Sequence, residues 1–219
     1  MMTQSLYKKV VCFDLDDTLY KEIDFVRSAY REVADYVGRP ELLEIMLNWY
    51  VSGENTFQKL NQTLGLDISI SEYLSIYRNH RPAIDLSDGV EKTLEELSSI
   101  GCVLGLITDG RSVSQRNKID ALGLYRWFEN RNIIISAEFG SEKTDKRNYM
   151  YFMELYPNRS YIYVGDNPQK DFASANRLGW ETVMIKDDGR NIHRQYTMQN
   201  ICLPQVIINR FENLIHFVR

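Results

Sequence analysis

Cysteine is scarce in this chain. Cys12, Cys102 and Cys202 are the only three in 219 residues. Odd in number and far apart, they fit neither a disulfide framework nor a closely spaced zinc site. They read as reduced cysteines of a cytoplasmic protein, and Cys12 and Cys102 lie inside apolar runs as small hydrophobes. No apolar run approaches the length needed to cross a bilayer. Met1 to Lys9 lacks the charged start, apolar region and cleavage site of a signal peptide. An excess of one charge is also missing: 26 basic residues stand against 30 acidic ones, for a formal net charge of -4 without a long run of either sign. That leaves no electrostatic footprint for nucleic acid or an anionic membrane. There is no internal repeat or low-complexity segment, and His80, His193 and His216 show no catalytic or metal-binding spacing.

What the chain does have is an alternation of short apolar runs and amphipathic stretches, the order of strand and helix units around a parallel sheet. The runs are Val10 to Leu15, Val103 to Thr108, Asn132 to Ser136, Tyr161 to Val164 and Thr182 to Ile185. They are apolar without alternation, as expected of strands covered on both faces. Ser87 or Asp88 can cap a helix carrying Val90, Leu94, Leu97 and Ile100, ended by Gly101. A helix after Gly110 has Val113, Ile119 and Leu122 as inward candidates, and one after Asp171 has Phe172, Ala175 and Leu178.

The interval between the first two strands is too long for an ordinary crossover. It carries three helical stripes: Val26, Tyr30, Val33 and Val37; then Leu42, Leu43, Met46 and Tyr50; then Phe57, Leu60 and Leu64. The expected organisation is an α/β core of residues 1–20 and 85–219, with a small α-helical domain of residues 21–84 inserted. Within Asp187 to Arg219, Pro204 is expected to open a final helix carrying Val206, Ile207, Phe211, Leu214 and Ile215.

Four segments carry chemistry. Val10 to Phe13 delivers Asp14, Asp16 and Asp17 to the carboxyl edge of a strand, where open α/β sheets bind ligands. Solvated turn acids are the alternative for this segment alone. Gathering like charges gains nothing for folding, however, and a hard divalent cation such as Mg²⁺ would offset their repulsion. Asp166 ends another apolar strand after Gly165, and Asp171 opens the next helix either as a cap or as a functional acid. Thr108, Asp109 and Gly110 end the second strand near a helix start, offering a hydroxyl and backbone amides to an anion. Lys143 follows the third strand, where a solvated charge would be the ordinary reading.

In their order, these segments resemble the motifs of the haloacid dehalogenase superfamily of phosphohydrolases. Asp14-Leu15-Asp16-Asp17-Thr18 matches the first motif, Thr108 the second, Lys143 the third, and Asp166 with Asp171 the fourth. The phrase from Leu106 through Gln115, Arg116, Lys118, Leu122 and Gly123 to Phe128 is also similar. The core is covered, about two thirds of the chain, and the insertion is matched only by position. Many members have Gly where this chain has Asp17, and Pro where it has Thr144.

The resemblance implies a Rossmann-like parallel sheet with a helical cap, and an Mg²⁺-dependent phosphatase of a small phosphorylated metabolite, such as a sugar phosphate or nucleoside monophosphate. It implies Asp14 as nucleophile, Asp16 as acid and base, and Thr108, Asp109 and Lys143 around the phosphate. Asp14, Asp166 and the backbone carbonyl of Asp16 would hold the metal, with Asp171 in support. A phosphomutase on the same scaffold and a non-catalytic phosphate-binding protein are the alternatives. No nucleic acid or membrane partner is expected, and the protein is expected to be a monomer or homodimer.

Overall fold

A computed structural model of the chain describes residues 9–196 and 200–219. Met1 to Lys9, read above for a leader, therefore lies outside the described residues except for Lys9. In chain order the elements are β1 (Val10–Phe13), α1 (Glu22–Tyr36), α2 (Leu43–Val51), α3 (Thr56–Leu64), α4 (Ile70–Asn79), α5 (Asp88–Ser99), β2 (Val103–Thr108), α6 (Ser112–Ala121), β3 (Ile133–Ile135), α7 (Ser136–Phe139), α8 (Arg147–Leu155), β4 (Tyr161–Gly165), α9 (Ala173–Arg177), β5 (Glu181–Ile185), β6 (Val206–Ile208) and α10 (Leu214–Val218). The strands form one parallel sheet in the order β3-β2-β1-β4-β5-β6.

Both faces of the sheet are covered, which explains the unbroken apolar runs. On β1, Val11 and Phe13 join one core cluster with Leu94, Leu97 and Leu214, while Val10 and Cys12 join another with Phe152, Tyr163 and Trp180. This is the period of two along a strand: alternate side chains enter opposite layers. Cys12 is fully buried, as its apolar setting implied, and all three cysteines are free.

Residues 21–84 of the long interval fold as four α-helices and one 3-10 turn. Ser69 caps α4 by accepting from the Glu72 N–H, as Asn55 caps α3 by accepting from the Gln58 N–H. The three stripes meet in a cluster of their own with Val26, Tyr30, Val33, Met46, Phe57 and Leu60, to which α4 adds the buried Tyr73. Among the described residues no helix is long and apolar enough to cross a membrane.

Two expectations are corrected. Val206–Ile208 is a parallel edge strand rather than the start of a helix, pairing Val183 with Val206 and Ile185 with Ile208. Three β-branched residues in a row fit either element by apolarity alone, and only α10 turns helical beyond them. Val113 on α6 is also not inward, being half exposed. The polar Gln115 and Lys118 are buried instead, because this helix turns a polar face to the sheet edge.

Gly105 lies where β2 crosses under α8. A methyl group there would come within 2.7 Å of Cys12 Sγ and 2.6 Å of a Phe152 ring carbon. Gly105→Ala should therefore destabilise the fold by about 1–3 kcal/mol through overpacking. Urea denaturation should give a lower midpoint with an unchanged slope.

Candidate active site

The sheet register places the chemistry. Phe13 is level with Leu106 on β2 and Val164 on β4, and the Asp14 N–H donates to the Val164 carbonyl at 2.9 Å. The ends of the three central strands thus present Asp14, Thr108 and Asp166 side by side at the carboxyl edge. A cavity of about 190 Å³ opens there, lined by Asp14, Asp16, Thr108, Asp109, Lys143 and Asp166, with Glu22 and His193 among the other wall residues. Every residue expected to touch the ligand lines this space. Asp171 stands behind it, fully buried.

Asp171 organises the edge. One of its oxygens accepts from the Lys143 ammonium at 2.9 Å and the Tyr163 hydroxyl at 3.3 Å; the other accepts from the N–H groups of Asp166 and Asn167 at 3.1 and 2.8 Å. Gly165 makes room for this, since a side chain on it would come within 2.5 Å of the carboxylate. Lys143 also pairs with Asp14 at 2.8 Å, and its backbone N–H donates to Asp109 at 3.0 Å. Burial alone would lower the lysine, but Asp14 and Asp171 hold it well above its ordinary value.

The charges at this edge do not balance. Carboxylate oxygens of Asp14, Asp166 and Asp171 lie within 4.8 Å of one another, and Lys143 is the ammonium among them, so with all three ionised two negative charges would be uncompensated. Burial pushes Asp166 up to about 9, helped by the charges of Asp171 and Asp14. Burial likewise carries Asp14 to about 7 against the pull of Lys143. With Asp171 fully engaged by donors, Asp14 and Asp166 are the carboxylates suited to a divalent cation. Oxygen donors and a deficit of two charges fit a hard ion.

Asp16 belongs to a different network. Its Oδ1 accepts from the Lys118 ammonium at 2.7 Å and the Tyr20 hydroxyl at 2.5 Å, and its Oδ2 accepts from the Gln115 amide at 3.0 Å. Burial would raise this carboxyl, but Lys118 and the hydrogen bonds from Tyr20 and Gln115 together outweigh burial and lower it. Any metal contact from Asp16 therefore falls to its backbone carbonyl. Gln115 also donates to the Thr108 hydroxyl at 2.6 Å, tying the two motifs together.

Gln115 and Lys118 were present in the sequence only as part of a family-like phrase. Their spacing of three on a helix directly after Thr108 was the signal that could have assigned them a place. The segment after β5 carried no signal at all. There the Asn191 amide donates to Asp166 at 2.9 Å, the Ile192 N–H donates to Asp17 at 2.9 Å, and Gln195 donates to the Asp166 carbonyl at 2.8 Å. His193, without evident spacing in the sequence, reaches the cavity rim on this segment. Beside these, Tyr20 reaches Asp16, and Lys21 donates to Asn191 at 2.7 Å. Arg111 is exposed and does not line the cavity.

A parallel sheet covered on both faces, with buried carboxylates and one lysine gathered at its carboxyl edge and helices inserted after β1, defines a class of α/β hydrolytic enzymes. The chain belongs to the haloacid dehalogenase-like hydrolase family, whose model matches residues 11–185. It is 28% identical to a glyceraldehyde 3-phosphate phosphatase of Methanocaldococcus jannaschii, over 94% of this chain and 98% of that one. It is 26% identical to a phosphoglycolate phosphatase of Pseudomonas syringae pv. tomato, over 94% of this chain and 78% of that one. Among solved structures, the magnesium-bound HAD-hydrolase YfnB of Bacillus subtilis superposes with a TM-score of 0.69 at 20% identity, covering 97% of this chain and 99% of that one.

The charge deficit has a pH signature. Asp14 and Asp166 have folded-state values above their ordinary 3.8, so between about pH 4 and pH 9 the folded protein binds more protons than the unfolded chain. Metal-free stability should fall as pH rises through that window. A divalent cation should remove the loss, so the gain in Tm on adding Mg²⁺ or Mn²⁺ should be larger at about pH 8.5 than at about pH 5.5. Calorimetry at the two pH values checks this; a gain that shrinks with pH would contradict it.

Proposed function

We propose that the protein is an Mg²⁺-dependent phosphatase of a small phosphorylated metabolite, with Asp14 as its nucleophile. The observation that carries this reading is the convergence of Asp14, Thr108 and Lys143 on one small cavity beside a charge deficit suited to a divalent cation. The relatives named as phosphatases support it, as does the family match.

In this reading the Thr108 hydroxyl and Lys143 ammonium receive the phosphoryl oxygens. An Asp14 oxygen attacks phosphorus while the bond to the leaving oxygen breaks, giving an aspartyl-phosphate and a leaving group that takes its proton from Asp16. Water then attacks the phosphorus, Asp16 takes the water's proton, and phosphate departs with Asp14 restored. Asp14, Asp166 and the Asp16 carbonyl would hold Mg²⁺, which when bound neutralises nucleophile and phosphoryl oxygens together. Three donors on Asp16 favour its ionised form, the state suited to the second step. Asp171 keeps Lys143 in place and acts through it.

Residues 21–84 are assigned to a cap domain that closes over the edge, excludes water and meets the leaving group. A cavity of about 190 Å³ suits a metabolite of a few carbons. The relatives' names leave two kinds of leaving group open: glyceraldehyde 3-phosphate has a hydroxyl and an aldehyde beside its phosphate, while phosphoglycolate has a carboxylate.

Asp14→Asn should lose at least about 10³-fold in phosphate release, because it removes the nucleophile while keeping the side-chain shape. Circular dichroism should remain that of the parent, and near-parental turnover in a folded variant would sink the assignment. Lys143 is buried between two carboxylates while Lys146 is exposed three residues on. Lys143→Ala should accordingly cost about 10²-fold or more and Lys146→Ala less than about twofold in kcat/KM under identical conditions.

A further inference from the structure

Of the cavity's carboxylates that the chemistry above does not use, Asp17 and Asp109 accept backbone N–H bonds, and Glu22 remains. Glu22 opens α1 and lines the cavity with Asp14, Asp16 and Thr108. Its backbone N–H donates to Asp17 at 2.9 Å. Among the described residues no group donates a hydrogen bond to its side chain, and its one ion-pair contact is Lys118 at 4.0 Å. That lysine already serves Asp16 at 2.7 Å. Asp24 shares the first turn of the helix and turns outward to Arg190 at 2.6 Å, so favour from the helix dipole does not by itself require an inward acid.

The Glu22 side chain is 25% exposed, and a carboxylate partly withdrawn from water beside Asp14, Asp16 and Asp17 is costly unless a donor meets it. The other basic side chains of the cavity make no ion pair with it among the described residues: Lys143 is committed to Asp14 and Asp171, while Lys170 and His193 are exposed. Resting on the phosphatase reading, we propose that Glu22 accepts a hydrogen bond from a hydroxyl or ammonium group of the leaving group. The enzyme thereby selects phosphate monoesters of polyols, hydroxyaldehydes or amino alcohols over those that carry a carboxylate. Such a donor stabilises the ionised Glu22, whereas a substrate carboxylate would add one more negative charge beside Glu22, Asp16 and Asp17.

The experiment measures kcat/KM with Mg²⁺ for p-nitrophenyl phosphate, for glycerol 3-phosphate, erythrose 4-phosphate and ethanolamine phosphate, and for phosphoglycolate and phospholactate. At least one of the donor-bearing esters should exceed both phosphocarboxylates by about tenfold or more. Glu22→Gln, similar in shape and without the charge, should reduce that ratio by about tenfold, chiefly through KM. Absence of phosphate release from every compound would sink the phosphatase reading and this inference with it. Release from p-nitrophenyl phosphate with the phosphocarboxylates equal or preferred overturns the inference alone. So does an unchanged ratio in Glu22→Gln, or failure to cleave any donor-bearing ester. The comparison among substrates on the unmodified protein decides the matter even if the variant folds poorly.

Discussion

Three carboxylates around one ammonium dominate the carboxyl edge of the sheet. The ends of β1 and β4 deliver the acids and the segment after β3 the lysine, and the crowding of like charges does not benefit folding in the absence of a counter-ion. The cost is contained by making one acid structural. Asp171 takes four donors and fixes Lys143, leaving the deficit on Asp14 and Asp166, where a cation would be useful. Gly165 is part of the same solution, because only a residue without Cβ lets the β4 end close on the Asp171 carboxylate.

Much of this was legible in sequence because parallel strands buried on both faces are conspicuous. All five expected runs became strands with boundaries within two residues. Their ends carry Asp14, Thr108 and Asp166, so recognising the strands also placed the polar residues just beyond them. The same logic failed where periodicity was ambiguous. Val206–Ile208 reads equally as strand or helix, and only a free sheet edge beside β5 decides it. On α6 the apolar-inward rule misplaced Val113, since the face toward the site is satisfied by hydrogen bonds and an ion pair rather than by apolar burial.

Residues 187–195 were opaque for a different reason. Their contribution is made by amides and backbone groups reaching across 25 to 175 positions, and such contacts have no local pattern. Ile192 N–H meets Asp17 across 175 positions, and Lys21 meets Asn191 across 170. Ile192 also packs against the cluster of the inserted helices, so this segment touches the sheet edge and the insertion at once.

Asp17 joins the insertion to the segment after β5. It adopts a left-handed backbone conformation with φ of 55°, a setting in which glycine is the easy choice and in which many relatives of the resembling pattern have glycine. The side chain offsets that conformational cost through its contacts. One oxygen accepts from the Glu22 N–H at the start of α1, and the other accepts from the Ile192 N–H. A glycine would permit the same turn and hold neither. The departure at this position therefore ties the first helix of the insertion and the segment after β5 to the residue directly after Asp16. Glu22 depends on that tie, since the bond that anchors its backbone to Asp17 is also what brings its carboxylate to the wall of the cavity.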